Sequence, residues 1–185
     1  MLMVKRGCFV LLVIVASACG AGQSTPSQPT PGPKFGPSTA AKSYADDYPY
    51  PNAVIDTVNP LWNFYYRECT DFLAWRMNKD TGTTSEPYFF TNGMSGGRWG
   101  NAENWDVNAI ALGFVVDGSP TAGAIAQWHS SDLNDPSFPG HVAYVEQVNA
   151  DGTIDVTEYN FHVNHGFGYR LNVPSAPRYI HVRHG

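Results

Sequence analysis

The chain has 185 residues and a formal net charge of −5 at pH 7, from 16 acidic and 11 basic side chains with histidine counted as neutral. Without residues 1–18, whose only charged side chains are Lys5 and Arg6, the net charge is −7. This acidic balance, together with the lack of basic clusters, argues against a partner such as nucleic acid or an anionic membrane surface.

The N-terminal segment has the composition of an export signal. Lys5 and Arg6 precede an apolar run over residues 7–15, and small residues lie just before Cys19. The run is too short to span a membrane, so we expect a signal peptide over residues 1–18 and an extracellular or cell-surface location. Small residues before a cysteine are also typical of lipoproteins, which makes Cys19 a candidate for a lipid anchor.

The next segment, residues 19–43, is rich in Ser, Thr, Pro, Gly and Gln. Such a composition cannot bury a core, and its prolines favour an extended backbone, so we interpret the segment as a linker. The remaining residues, 44–185, are enough for one domain of ordinary size. We expect that domain to be a monomer.

Cys69 is the only cysteine of the predicted domain, because Cys8 and Cys19 lie in or beside the export segment. An exported cysteine without a partner is either buried and inert or retained for its thiolate. Residues 70–78 contain no proline or glycine and predict a helix that begins at Cys69 and ends near residues 81–82. A helix N-terminus stabilises a thiolate, which favours a nucleophile, although a small buried residue explains Cys69 equally well.

The rest of the chain predicts one more helix and then strands. Asn101 is a possible cap for the second helix, and Gly113 would end it. After Pro120 we expect a short strand over residues 123–128, a hairpin, and a last strand over residues 179–182. Helices followed by an antiparallel meander predict an α+β fold.

The hairpin is the clearest structural signal, with strands over residues 141–148 and 153–160 joined by a turn that contains Asp-Gly. Alternation and the turn geometry place His141 opposite Asn160, and Glu158 two residues away on the same face. An imidazole, a carboxylate and an amide therefore meet at one end of the hairpin. A buried carboxylate needs a partner, and the imidazole is the natural one.

These residues satisfy the chemical needs of a thiol nucleophile, namely an imidazole that takes the proton and a third group that orients the imidazole. Cys69, His141, and Glu158 with Asn160 are the candidates. A purely structural polar cluster at the strand end is the alternative. The hairpin pattern does not itself show that Cys69 reaches His141.

The sequence resembles the CHAP-domain family, the cysteine- and histidine-dependent amidohydrolases/peptidases that cut bacterial peptidoglycan. The matching segments follow the family's order and cover most of residues 60–185; they are residues 67–72, 99–105, 120–126, 140–146 and 157–160. The resemblance implies a papain-like fold, in which the cysteine helix packs on an antiparallel sheet.

The resemblance also implies the role of each candidate: Cys69 as nucleophile, His141 as base, and Glu158 as the orienting group, supported by Asn160. The implied activity is hydrolysis of an amide bond in bacterial peptidoglycan through an acyl-enzyme. The enzyme would be an N-acetylmuramoyl-L-alanine amidase or a peptidoglycan endopeptidase. A non-catalytic cell-wall-binding module is the alternative.

Two departures from the family and one histidine pair affect these expectations. Some phage-derived members bind calcium just before the cysteine, but residues 62–66 contain no carboxylate, so we expect no calcium there. Many relatives have an amide where this chain has Glu68, and an ionised carboxylate cannot donate to an oxyanion, which leaves the Cys69 N–H as the expected donor. His162 and His165 have no evident third zinc ligand, so we expect no metal or other cofactor.

Overall fold

The computed structural model describes residues 42–182. The expected signal peptide, the candidate lipid anchor at Cys19 and the linker up to residue 41 lie outside the described residues. Within residues 42–182, no helix combines the length and the apolar content that crossing a membrane requires.

The cysteine helix, α1, spans Cys69–Asp80, as predicted. It ends where Gly82 adopts a φ of 69°, in the left-handed region that favours glycine. Nine of its twelve residues are buried, and the aromatic N-terminal segment contributes to this burial, since Tyr48 makes edge contacts with Phe72 and Trp75.

The second predicted helix is present but divided. A 3₁₀ turn at Ala102–Asn104 leads into α2, Trp105–Ala111, and another 3₁₀ turn occurs at Met94–Gly96. The prediction that Asn101 caps this helix is wrong, because Asn101 occupies the capping position but its side chain makes no capping hydrogen bond. The N–H groups that it would accept from are already used: that of Glu103 donates to the carbonyl of Pro139, and that of Asn104 to the carbonyl of Asn101 itself.

Between residues 42 and 182, six strands form one antiparallel sheet in the order β1-β6-β2-β3-β4-β5. Their bounds are β1 Val115–Asp117, β2 Ile125–Trp128, β3 His141–Val148, β4 Ile154–Tyr159, β5 Phe167–Val173 and β6 Arg178–His181. The sequence predicted β2, β3, β4 and β6 but missed β1 and β5.

The predicted register of the hairpin is confirmed near the end of the sheet that carries the polar residues. Val145 pairs with Val156, and Tyr144 pairs with Thr157. Closer to the turn a β-bulge between Val145 and Gln147 shifts the register by one residue, so that Gln147 pairs with Asp155. The bulge therefore leaves the arrangement at the start of β3 unchanged.

Both faces of the sheet are covered, which explains why every residue of β2 and β4 is buried instead of every second one. On one face α1 packs against β3 and β4 in a core that includes the fully buried Trp99 and Trp105. On the other face, loops after β2 and β5 contribute Leu133 and Ala176 to a smaller apolar cluster. Helices that pack on one face of an antiparallel sheet make an α+β fold.

Candidate active site

Cys69 lies on the wall of a pocket of about 310 Å³, at the first residue of α1. The chain turns sharply into the helix, because Arg67 has a φ of 64° and Glu68 is extended. The thiol is free and only 7% exposed. The pocket is lined by residues from several segments of the chain: Asp56, Tyr65, Glu68, Cys69, Thr70, Asn101, Ala102, Phe138, Pro139, Gly140 and Asn160.

His141 is the first residue of β3 and is fully buried. The chain enters β3 through Gly140, which has a φ of 77° and whose missing Cβ would lie 2.6 Å from the backbone nitrogen of Glu103. Only glycine allows this close approach. His141 is thereby fixed beside the pocket wall that contains Cys69.

The predicted contact between imidazole and carboxylate is present. Nε2 of His141 lies 2.9 Å from Oε2 of Glu158, and Glu158 is 1% exposed. Burial alone would raise the pKa of Glu158, but hydrogen bonds from His141 and Arg170 outweigh it and lower that pKa below the usual range. The ionised carboxylate can only accept, so Nε2 of His141 carries the proton.

This hydrogen bond leaves Nδ1 of His141 as the acceptor nitrogen. Burial lowers the pKa of His141, so the ring is neutral at neutral pH. Nδ1 is buried and has no hydrogen-bond partner among residues 42–182. A neutral imidazole with one nitrogen held and the other unpaired is able to take a proton from a neighbouring group.

The thiol of Cys69 is also neutral. Burial raises its pKa to about 12, while hydrogen bonds from the backbone N–H groups of Val142 and Thr70 act in the opposite direction without prevailing. Burial thus outweighs the expected stabilisation of a thiolate by the helix N-terminus, which is present as the hydrogen bond from the Thr70 N–H, and the resting thiol stays protonated. The Val142 contact places the sulfur next to the residue that follows His141.

The N–H of Val142, the residue after His141, donates to the Cys69 sulfur, but no hydrogen bond joins that sulfur to Nδ1 of His141, which is unpartnered in the described part of the chain. Such bonds are commonly long or misaligned before substrate binds. The structure therefore pairs His141 with Glu158 and joins the Cys69 sulfur to the backbone of the residue after His141, while thiol and imidazole are not hydrogen-bonded to each other.

Asn160 does not take the position expected of it. Its Nδ2 donates to Oε2 of Glu68 at 2.8 Å, and its Oδ1 accepts from the N–H of His165 at 2.7 Å. The reason is that β4 ends at Tyr159 and Asn160 adopts a φ of 50°, which turns its side chain off the strand face. The placement of Asn160 opposite His141 is thus wrong, although it does line the pocket.

Arg170 is the residue that sequence reasoning missed. Its Nε and Nη2 donate to Oε1 and Oε2 of Glu158 at 2.9 and 2.7 Å. The signal was present in residues 167–173, where apolar side chains alternate with Gly168, Arg170 and Asn172 and so predict a strand. The alternation does not show that this strand pairs with β4, because that pairing is a tertiary contact.

The histidine pair considered for zinc has other contacts. Nδ1 of His165 lies 3.3 Å from Oε1 of Glu68, and the ring of His162 packs against Phe161. Residues 42–182 hold no group of three or more His, Cys, Asp or Glu side chains arranged to bind a metal.

Comparison with known proteins places this geometry in a family. The CHAP-domain family model matches residues 59–160, more than half of the chain and all of the candidate site up to Asn160. The chain belongs to the CHAP-domain family. The predicted resemblance is thereby confirmed.

Two curated proteins that are similar to this chain carry the same name. The N-acetylmuramoyl-L-alanine amidase sle1 of Staphylococcus haemolyticus (strain JCSC1435) is 43% identical over 77 residues, covering 42% of this chain and 22% of that protein. The protein of the same name from Staphylococcus aureus (strain USA300) is 42% identical over 87 residues, covering 45% and 24%. The match thus spans less than a quarter of the length of these relatives.

A solved structure shares the fold. A crystal structure of an N-acetylmuramoyl-L-alanine amidase from Staphylococcus aureus matches with a TM-score of 0.50 and 27% identity, over 73% of this CHAP chain and 37% of that one. The expected α+β, papain-like fold is confirmed, since Cys69 begins α1 and α1 packs on the antiparallel sheet.

Proposed function

We propose that this CHAP protein is a peptidoglycan hydrolase that cleaves an amide bond through a cysteine nucleophile. One observation carries the proposal: His141 is buried, bonded through Nε2 to the ionised Glu158 and unpartnered at Nδ1, and the N–H of the next residue, Val142, donates to the Cys69 sulfur. That is the arrangement a general base needs to take the proton of a thiol. Cys69 is the nucleophile, His141 the base and Glu158 the group that orients the base.

The resting pair is neutral, so the proton moves during the attack. The Cys69 sulfur bonds to the amide carbonyl carbon while its proton passes to Nδ1 of His141, and the carbonyl π electrons move to oxygen. The tetrahedral intermediate collapses with cleavage of the C–N bond, and the leaving amine takes the proton back from His141. Water then attacks the thioester with His141 as base, which releases the carboxylate and restores the thiol.

The developing oxyanion needs a donor, and we assign this role to the backbone N–H of Cys69. It belongs to the first residue of α1, where N–H groups have no partner within the helix, and the helix dipole favours negative charge there. Glu68 cannot serve while ionised. Its carboxylate is engaged with Asn160 and His165 and forms part of the pocket wall.

The substrate is bacterial peptidoglycan, and the bond we favour is that between N-acetylmuramic acid and L-alanine. The relatives are named for this activity, but the match covers under a quarter of their length. A peptide bond of the stem or cross-bridge is the competing target of the same chemistry. A wall-binding module without turnover is the remaining alternative.

Digestion of purified peptidoglycan, with mass spectrometry of the soluble products, tests the proposal. Free L-alanine N-termini with intact glycan chains identify the amidase, whereas new termini within the stem or cross-bridge identify an endopeptidase. The Cys69→Ala variant is the matched control, and it should bind the wall without releasing fragments. Wall binding by the wild-type protein without any new termini would establish the binding module instead.

We also propose that the protein acts outside the cell membrane, where peptidoglycan lies. Export would use residues 1–18, and Cys19 would become the lipidated N-terminus of the mature protein. The intact mass of protein from its native host decides both parts. Retention of residues 1–18 contradicts the export step, and an unmodified Cys19 N-terminus contradicts only the lipid anchor.

A further inference from the structure

Arg170 binds the carboxylate on which the orientation of His141 depends. It extends from β5, which pairs with β4 so that Arg170 lies opposite Val156 and Gly168 lies opposite Glu158. Both oxygens of Glu158 accept from the guanidinium, at 2.9 and 2.7 Å. One of them, Oε2, also accepts from Nε2 of His141.

Two aromatic rings hold the guanidinium in place. Its central carbon lies 4.8 Å from the ring centroid of Trp128 on β2 and 4.9 Å from that of Phe161, in the loop after β4. Contacts of this kind are attractive, more so away from water, and the Arg170 side chain is only 20% exposed. Phe161 also stacks on His141, with ring centroids 4.2 Å apart.

We propose that Arg170 is a positioning residue for the hydrolytic reaction, acting through Glu158 on His141. Its two parallel bonds fix the plane of the carboxylate, and that plane sets the direction of the bond to Nε2. With Nε2 protonated and held, Nδ1 is the nitrogen presented to the thiol. The reaction itself rests on the function proposed above, but the effect of Arg170 on His141 does not.

Lysine cannot reproduce this arrangement. Its ammonium is a point charge without the planar pair of donors that matches a carboxylate, and it stacks poorly between rings. An Arg170→Lys variant therefore keeps the charge and loses the geometry. An Arg170→Met variant loses both while filling a similar volume.

The charge of Arg170 gives the proposal a measurable consequence. The titratable groups that act on His141 are Glu158 from β4, His162 from the loop after β4, and Arg170 from β5. Arg170 lowers the pKa of His141, whereas Glu158 raises it. Burial remains the largest cause that lowers this pKa, but without Arg170 one of the opposing influences is lost, so His141 becomes protonated at a higher pH.

The competing explanation is that Arg170 only neutralises a buried carboxylate and contributes to stability. If that were its only role, replacing Arg170 would lower the melting temperature but would not shift the pH profile of the remaining activity. Arg178 is a suitable control for it. It lies on β6, is 27% exposed, and pairs with Asp132 and Asp106, away from His141.

The experiment compares Arg170→Met, Arg170→Lys and Arg178→Met with the wild-type protein. Two quantities are measured: kcat/KM against pH on soluble peptidoglycan fragments, and the His141 titration by imidazole NMR. In Arg170→Met we expect the acidic limb of the kcat/KM profile and the His141 titration to move together to higher pH. We expect kcat to be about 10- to 100-fold lower, the range found when outer-shell partners of metal-bound histidines are changed. In Arg170→Lys kcat should fall with a smaller movement of the limb, and Arg178→Met should match the wild-type profile.

The possible outcomes distinguish the proposed role of Arg170 from the proposed hydrolytic function. An unmoved His141 titration in Arg170→Met and Arg170→Lys, with only stability lost, overturns the role of Arg170. If Arg170→Met does not fold, Arg170→Lys still decides, because wild-type kcat in that variant contradicts a geometric role. An inactive wild-type protein whose His141 titration still moves in Arg170→Met supports the action of Arg170 and overturns the proposed function alone.

Discussion

The ring of Phe161 stacks on the imidazole of His141, with an angle of 20° between the two planes. Phe161 is half-buried and belongs to the loop after β4, so it covers on the solvent side a histidine that is itself fully buried. Desolvation is the largest cause of the lowered pKa of His141. The stack thus helps to keep the proposed base neutral.

Replacing Phe161 by alanine should therefore raise the pKa of His141 by admitting water. The acidic limb of kcat/KM should move to higher pH, while activity at pH 8 changes far less. Tyr169→Ala, which removes an exposed ring from β5, is the control and should leave the limb in place. A Phe161→Ala profile parallel to the wild-type profile at every pH would show that the ring does not set the protonation of His141.

Local patterns were sufficient to predict the elements that carry Cys69, His141 and Glu158. The helix followed from the lack of breakers after Cys69, and the hairpin followed from alternation on both sides of an Asp-Gly turn. Register then placed His141 and Glu158 at the same end of the sheet. These inferences use only neighbours in sequence or across one tight turn.

What the sequence could not give depends on distant contacts or on single backbone angles. The bidentate bond from Arg170 needs the β4–β5 pairing, and the position of Asn160 depends on its φ of 50°. The neutral thiol is a matter of burial, which arises only when α1, β3 and the N-terminal segment pack together. A helix-terminus argument considers the local dipole and omits that desolvation.

Alkylation tests the neutral thiol. With a pKa of about 12, Cys69 is almost entirely protonated at pH 8. Iodoacetamide should react with the folded protein on the order of 10³-fold more slowly than with the unfolded chain, whose thiol has a pKa of about 8.5. Rapid labelling near pH 6 that disappears in His141→Ala would instead reveal a thiolate–imidazolium pair.

Asp71 should make stability depend on pH. It is fully buried, accepts from the hydroxyl of Tyr48 and the amide of Asn59, and burial raises its pKa to about 7. The unfolded value is about 3.9, so the folded state holds the proton more tightly between these values. Its contribution to stability is complete below the unfolded pKa and is lost as pH rises through about 7, by up to about 4 kcal/mol.

Asp71→Asn removes that titration while keeping an acceptor for Tyr48. The melting temperature of Asp71→Asn, relative to that of the wild-type protein, should therefore increase as pH rises from 4 to 8. Asp47→Asn makes the same substitution at an exposed site and should follow the wild-type slope. Equal slopes for the Asp71→Asn and wild-type proteins would contradict a protonated Asp71.

The assignment of Cys69, His141 and Glu158 is tested by single and double variants. Cys69→Ala and His141→Ala should each reduce kcat on the order of 10⁶-fold, and the double variant should be no worse, because nucleophile and base act as a unit. Glu158→Gln should cost less, about 10⁴-fold, since the amide cannot stabilise the imidazolium but the thiol and base remain. Asn160→Ala should have a smaller effect still, because its bonds go to Glu68 and the His165 backbone.

Folding must be verified for each variant by circular dichroism and wall binding, since His141 and Glu158 are a buried pair and loss of one partner leaves the other uncompensated. Glu158→Gln is the most conservative of these changes for that reason. A correctly folded Cys69→Ala protein with wild-type turnover would falsify the nucleophile assignment. Additive losses in the Cys69→Ala/His141→Ala double variant would show instead that the two side chains contribute to separate steps.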